Sequence, residues 1–176
     1  MKDSKQEKRG KTKDPVMRAI LRLAIKITTV ILLFVLVFTF VFGAFRVNDT
    51  GMVPNIAPGD LVLYYRLDKQ CAIGDVVVCS YKDKKMTARV VAQPGDTVAI
   101  NEDGLKVNDS LQYEPKIYKE TMAFEEGVEF PIVLGADEYF VLGDNRDRTT
   151  DSRLFGPVKK SDLYGKVFSL IRKRDI

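Results

Sequence analysis

The chain has 176 residues, with 28 Lys and Arg against 24 Asp and Glu, two cysteines and no histidine. This length suggests one domain with appendages. The lack of histidine excludes Ser-His-Asp catalysis, Cys-His catalysis and Cys/His metal sites, so we expect no metal ion and no other cofactor. For Cys71 and Cys79, the sequence favours free buried thiols, with a disulfide between them as the alternative.

The first 26 residues hold the positive charge of the chain. They carry nine Lys and Arg against three acids, a balance of +6, and because the whole chain carries +4, the remainder carries −2. The high isoelectric point is therefore a property of this segment, and the rest of the chain shows no basic face for nucleic acid. We predict a basic cytoplasmic tail over residues 1–26, either solvated or associated with anionic lipid headgroups.

Residues 27–45 contain no charged side chain. As a helix they would span about 30 Å, which is the thickness of the hydrocarbon core of a bilayer. A buried core helix would normally show a polar face, and a cleaved signal peptide has a shorter apolar stretch ending in small residues. We therefore predict one uncleaved transmembrane helix in the cell membrane. The positive charge before it places its N-terminal end in the cytoplasm and residues 46–176 outside the cell.

After Arg46, short runs rich in β-branched and aromatic residues alternate with turn residues, and no long helix is indicated. We predict a mainly β, antiparallel domain. The predicted strands are 61–65, 75–79, 88–92, 97–100, 105–108, 139–142 and 167–171. Residues 110–136 are richer in Glu, Lys, Tyr and Pro, which indicates an extended loop.

The dipeptide Gly-Asp occurs four times, ending at Asp60, Asp75, Asp96 and Asp144. Proline precedes the first and the third of these dipeptides, and Pro-Gly favours a type II turn in which the glycine takes a positive φ. We predict a turn role for the first three aspartates and no role in a functional site.

Several segments in a common order resemble bacterial type I signal peptidases. They are the apolar anchor, residues 51–60 (GMVPNIAPGD), residues 88–96 (ARVVAQPGD) and residues 143–156 (GDNRDRTTDSRLFG). The last segment is the most specific, and the compact length resembles the Gram-positive type. The resemblance implies a β-rich fold on the outer membrane surface, with a groove that receives an extended secretory peptide.

The same resemblance locates two missing chemical groups. In the family the first of these segments supplies a serine nucleophile and the second a lysine general base, whereas here those positions hold Gly51 and Ala88. We therefore predict no intact catalytic residue. Thr50 is one residue away from the nucleophile position. Lys84 and Lys85 are predicted to lie at a solvated hairpin tip. A solvated lysine keeps a pKa of about 10.4 and is a poor base at neutral pH.

Other site residues are implied by the family positions. Asp49 stands close to the expected oxyanion hole, where its carboxylate either opposes a developing oxyanion or points into water. Met52 and Pro54 either line the groove, as Asp49 and Thr50 are expected to do, or fix the turn after it. Five residues are expected to brace the site: Asn145, Arg146, Thr149, Asp151 and Arg153.

The leading hypothesis is a membrane-anchored pseudo-peptidase that binds secreted polypeptides. The chain resembles signal-peptidase-like accessory proteins that lack both catalytic groups and accompany sortase-assembled pili in Gram-positive bacteria. This implies a chaperone or scaffold for pilin subunits, with components of sortase-dependent pilus assembly as further partners. The alternatives are an active signal peptidase, which is a serine endopeptidase, an engineered inactive variant of one, and a structural membrane protein with a vestigial groove.

Overall fold

The computed structural model describes residues 15–115 and 117–172. The chain divides into two compact units, Met1–Phe38 and Thr39–Ile176. Most of the predicted basic tail and the last four residues lie outside the described part of the chain.

The first element is a long apolar helix, α1 (Pro15–Phe40), in which none of the residues is buried. Proline suits the first turn of a helix because it has no N–H to leave unpaired. The helix is long enough and apolar enough to cross a membrane. It differs from the predicted segment 27–45 at both ends, since it begins earlier and ends before Phe42–Arg46, which form a strand.

In the second unit, the described residues form eleven strands and two short helical turns. The strands are β1 (Phe42–Arg46), β2 (Leu61–Tyr65), β3 (Val76–Tyr81), β4 (Lys84–Ala92), β5 (Thr97–Asn101), β6 (Gly104–Val107), β7 (Ser110–Leu111), β8 (Ile132–Val133), β9 (Glu138–Leu142), β10 (Val158–Lys159) and β11 (Leu163–Ile171). The helical turns are α2 (Ser152–Phe155) and a 3-10 turn (Lys160–Asp162).

All strand pairs are antiparallel and form two sheets. The larger sheet has the order β1-β2-β11-β3-β4-β9-β10, and the smaller has the order β7-β6-β5-β8. The predicted mainly β, antiparallel fold is therefore confirmed. Each predicted run lies in or overlaps a strand, whereas β1 and the two-residue strands were not predicted.

Three clusters of buried apolar side chains hold the sheets together. The first packs around Val77, Ala88 and Val141, and the second joins Phe140 to the smaller sheet. The third surrounds Met52. Each fully buried aliphatic side chain stabilises the fold by about 1.5–3 kcal/mol.

The first three Gly-Asp dipeptides form the predicted turns. In each, the glycine has a positive φ between 87° and 96°, and the aspartate carboxylate accepts a hydrogen bond from the backbone N–H three residues earlier. These bonds join Ala57 to Asp60 at 3.0 Å, Ala72 to Asp75 at 2.8 Å and Gln93 to Asp96 at 2.8 Å. The turn role of these aspartates is confirmed.

Candidate functional site

Gly51 lies in the turn-rich segment between β1 and β2, where it is buried. Its N–H donates to Oδ1 of Asp49 at 2.9 Å, and its carbonyl oxygen accepts from the N–H of Asn145 at 2.9 Å. A Cβ atom added at Gly51 would lie 2.9 Å from Oγ1 of Thr149. The structure thus brings Thr149 beside Gly51, the predicted position of the nucleophile.

The segment that follows β9 packs directly on Gly51. The N–H of Gly143 donates to Oδ2 of Asp151 at 3.1 Å, and Nδ2 of Asn145 donates to the carbonyl oxygen of Thr50 at 3.1 Å. A Cβ atom at Gly143 would overlap Thr149 and would lie 2.5 Å from the carbonyl oxygen of Gly51. Only glycine allows this approach of the two segments.

Ala88 lies in β4, opposite Val77 of β3, and has no exposed surface. Its surroundings are apolar, because it belongs to the cluster that contains Val90 and Val141. The hydroxyl of the neighbouring Thr87 is buried without a hydrogen-bond partner among the described residues. No amine is available at position 88, and one introduced there would be desolvated, which lowers the pKa of a lysine.

The fourth Gly-Asp aspartate, Asp144, has a different role from the other three. Its fully buried carboxylate accepts from Arg89 through Nε at 2.7 Å and through Nη2 at 2.6 Å, and from Nδ2 of Asn55 at 2.8 Å. These hydrogen bonds raise the pKa of Arg89 above its ordinary value. The three residues tie β4, the loop after β9 and the segment after Gly51 together. The sequence did not predict them as site residues, although Gly143-Asp144 directly follows a strand, β9, whereas the other three Gly-Asp dipeptides directly precede one.

Asp151 and Arg153 form a buried ion pair at 3.0 Å. Asp151 also caps α2 by accepting from the N–H of Arg153. The guanidinium of Arg153 donates to the carbonyl oxygens of Arg146 at 2.7 Å and Met122 at 2.9 Å. Arg146 is paired with Glu114 at 2.6 Å. The contacts are those of an internal brace, and they hold the long loop between β7 and β8 against the segment after β9.

A cleft of about 640 Å³ opens beside Gly51. Its lining comes from Phe45 and residues 48–51, from Tyr81, Lys82 and residues 84–86 of the β3–β4 hairpin, and from residues 148–150. The cleft therefore contains the nucleophile position and Thr149, and we call it the Gly51 cleft.

The four residues predicted to line the groove do not all lie in the Gly51 cleft. Asp49 and Thr50 line the Gly51 cleft. Met52 is fully buried, and its Sδ accepts from the N–H of Asp144 at 3.4 Å. Pro54 is exposed outside the lining. Neither Met52 nor Pro54 lines the Gly51 cleft, and the buried Met52 fits the alternative in which it fixes the turn.

The hairpin lysines also differ from the prediction. The tip of the hairpin is formed by Lys82 and Asp83, which have φ values of 47° and 61°. Lys84 and Lys85 belong to β4 and line the Gly51 cleft, although both are exposed. They are part of its wall rather than of a detached solvated tip.

Both cysteines are buried and free, as the sequence favoured. Burial raises the pKa of Cys71 to about 11 and that of Cys79 to about 12. Both thiols are therefore protonated at neutral pH. Over residues 15–115 and 117–172, no group of three or more His, Cys, Asp or Glu side chains could hold a metal ion.

Comparison with known proteins identifies the class to which this fold and cleft belong. The family described as "Signal peptidase, peptidase S26" matches residues 20–171. The chain therefore belongs to the signal peptidase family, peptidase S26.

Several relatives carry the same family name. A signal peptidase I of Bacillus licheniformis is 30% identical over 154 residues, covering 77% of this chain and 83% of the relative. Signal peptidase I U of Bacillus subtilis strain 168 is 29% identical over 171 residues, covering 90% and 87%. A crystal structure of a signal peptidase I from Enterococcus faecalis V583 is 25% identical and covers 57% of this chain and 97% of that chain, with a TM-score of 0.47.

Proposed function

We propose that this chain is a membrane-anchored member of the signal peptidase family that binds extended secreted polypeptides without cleaving them. The observation that carries the proposal is the pair of residues at the two catalytic positions. Gly51 has no side chain with which to attack a carbonyl group, and Ala88 has no amine to accept a proton. Serine proteases that lose their nucleophile retain only the residual acceleration from binding and the oxyanion hole.

Asp49 is a second feature that opposes peptide cleavage. Its carboxylate accepts the N–H of Gly51, which withdraws that donor from any substrate oxygen. A carboxylate about 4 Å from a developing oxyanion would also raise its energy by about 4 kcal/mol at an effective dielectric of 20.

The absence of the serine hydroxyl and the lysine amine leaves a surface on which a peptide can bind. Extended peptides bind proteins through main-chain hydrogen bonds to a strand at a sheet edge and through pockets for alternate side chains. The Gly51 cleft provides such a pocket, and β1 is an edge strand of the larger sheet with Phe45 in the cleft lining. These two features support polypeptide binding.

The membrane part of the proposal depends on α1. The helix carries Arg18, Arg22 and Lys26 in its N-terminal half and no charged residue after Lys26. Positive residues are retained on the cytoplasmic side, so this half faces the cytoplasm and residues 46–176 lie outside the cell. The Gly51 cleft then faces polypeptides that have already crossed the membrane.

The specific form of the proposal is a chaperone or scaffold for pilin subunits in Gram-positive pilus assembly, together with sortase-dependent components. It rests on the resemblance to accessory proteins without the catalytic pair. The test compares a cell that produces Thr50→Trp, which fills the cleft, with one that produces Val133→Trp, an exposed position on the smaller sheet. We expect pilus polymer to be lost only with Thr50→Trp, and normal polymer after deletion of the whole protein would contradict the pilus role.

An active peptidase is the second candidate, because the relatives at about 30% identity are named signal peptidase I. Thr50 and Thr149 carry hydroxyl groups in the cleft lining, and Oγ1 of Thr149 would lie 2.9 Å from a Cβ atom at Gly51. Incubation of the purified full chain with a secretory precursor separates the candidates. Cleavage that disappears with Thr50→Val or Thr149→Val would establish a threonine nucleophile. If activity had been removed by engineering, the unchanged chain would not cleave the precursor, and neither threonine variant would change that result.

A further inference from the structure

We propose that the Gly51 cleft selects acidic polypeptide segments, in which Asp or Glu alternates with apolar side chains. This inference rests on the proposed binding function and defines the kind of polypeptide that it takes.

Charge is the first observation. The Gly51 cleft is lined by four cationic side chains, Lys82, Lys84, Lys85 and Arg148, and by one acid, Asp49. None of the four cations takes part in an ion pair between residues that the structure describes. The cleft therefore has an uncompensated positive charge, which a carboxylate on a bound chain would neutralise.

The surrounding protein does not share this charge. All residues after Lys26 together carry a net charge of −2, so the cations of the cleft stand on a slightly acidic domain. Of the acids that neighbour these cations in sequence, Asp83 is at the hairpin tip outside the lining and Asp147 is paired with Lys119 at 3.2 Å. A concave site lined by one sign of charge attracts ligands of the opposite sign.

The hairpin wall that carries the lysines is held in place. The ring of Tyr81 stacks on Phe155 of α2, with centroids 4.3 Å apart. Nζ of Lys82 lies 5.1 Å from the centroid of the Tyr81 ring, and Nζ of Lys85 lies 4.3 Å from that of Tyr164. The contact with Tyr81 holds the ammonium of Lys82 beside a ring of the cleft lining, so less of its freedom is lost when a ligand binds, whereas Tyr164, which Lys85 contacts, lies outside that lining.

Apolar groups complete the site. Phe45, Tyr81 and Met86 line the same cleft as the cations. Successive side chains of an extended peptide point to opposite faces, and neighbouring positions therefore meet different parts of the lining. A segment that alternates acidic and apolar residues matches both kinds of surface.

The experiment uses the full chain in nanodiscs of uncharged lipid and fluorescent ten-residue peptides in extended register. One peptide alternates Glu with Val, the second replaces Glu by Gln, and the third replaces Glu by Lys. We expect the Glu peptide to bind at least about tenfold more tightly than the Gln peptide at low salt, and the difference to shrink as salt is added.

Variants then test whether the cations of the cleft are responsible for the preference for Glu. The triple variant Lys84→Gln, Lys85→Gln and Arg148→Gln is expected to lose the preference for Glu. The corresponding Lys→Arg changes at 84 and 85 are expected to keep it. The matched control removes three cations outside the lining of the cleft, Lys69→Gln, Lys106→Gln and Lys159→Gln, and is expected to behave like the unchanged protein.

The possible results distinguish the preference for acidic peptides from the proposed function, which is polypeptide binding. Equal binding of the Glu and Gln peptides would overturn the acidic preference while leaving polypeptide binding intact. If none of the three peptides bound, the proposed function and the preference would both be rejected. If the triple variant lost affinity for vesicles containing phosphatidylglycerol but kept the Glu preference, the cations would face lipid and the inference would be wrong.

Discussion

Oδ1 of Asp49 accepts a hydrogen bond from the backbone N–H of Gly51 at 2.9 Å. At Gly51, the predicted nucleophile position, the backbone N–H is therefore not a free donor. An active enzyme needs free donors where negative charge develops during acyl transfer. Under the proposed function, three features oppose peptide cleavage, namely Gly51, Ala88 and the carboxylate of Asp49.

The first prediction concerns restoration of the catalytic pair. We expect Gly51→Ser with Ala88→Lys to cleave a secretory precursor poorly, and the addition of Asp49→Ser to raise the rate by up to about a thousandfold, which corresponds to removing about 4 kcal/mol of repulsion. Single-turnover assays by mass spectrometry measure this. Asp83→Ser, which removes an acid outside the cleft, serves as the control. A double variant as fast as the triple one would show that Asp49 has no such effect.

The second prediction concerns the packing of the segment after β9 on Gly51. A methyl group at Gly143 would overlap Thr149 and approach the carbonyl oxygen of Gly51, whereas the atoms nearest to one at Gly51 are side-chain atoms of Thr149 and Asp49. We expect Gly143→Ala to lower the free energy of unfolding by about 1–3 kcal/mol and Gly51→Ala to change it by less. Urea denaturation of the full chain in detergent measures both. Equal effects would contradict the close approach.

The third prediction concerns the buried pair of Asp151 and Arg153. Removing one partner leaves a buried charge unpaired, so Arg153→Met is expected to cost about 3–5 kcal/mol of folding free energy. The exposed pair of Lys119 and Asp147 provides the control, since Lys119→Met is expected to cost at most about 1 kcal/mol. Similar losses in the two variants would mean that the buried pair is not a brace.

The fourth prediction concerns alkaline pH. Burial raises the pKa of Cys79 from 9.0 to about 12, so above pH 9 the unfolded chain releases this proton while the folded chain keeps it. The thiol therefore contributes full stability below pH 9, and that contribution falls as the pH rises towards 12, by at most about 1.4 kcal/mol per pH unit. The unchanged protein should lose stability more steeply than Cys79→Ala over this range. Parallel curves would contradict the shift.

The sequence predicted most of the strands because their signal is local. Runs such as 61–65 and 139–142 are rich in β-branched and aromatic residues and are bounded by turns. The strand β1 was missed because Phe42–Arg46 continue an apolar run, and only pairing with β2 shows where the helix ends. Such pairing is a non-local contact that composition does not contain.

The candidate site was also predicted only in part, because some of its residues have a signal in the sequence and others depend on non-local contacts. Family positions indicated Gly51, Ala88 and Thr149, and the structure places Gly51 beside Thr149. Asp144 was not singled out because its dipeptide is the same as that of three turn aspartates. The cationic wall was missed because the position of Lys84 in the cleft depends on how the β3–β4 hairpin folds beside residues 45–51.

The most direct measurement adds the unchanged, purified full chain to a secretory precursor and follows both complex formation and precursor mass over time. An active signal peptidase I in a parallel sample shows that the precursor can be cleaved. We expect a complex to form and the precursor to keep its full mass. A shortened precursor that appears in proportion to the amount of this protein, and does not appear with Thr50→Val, would contradict the account.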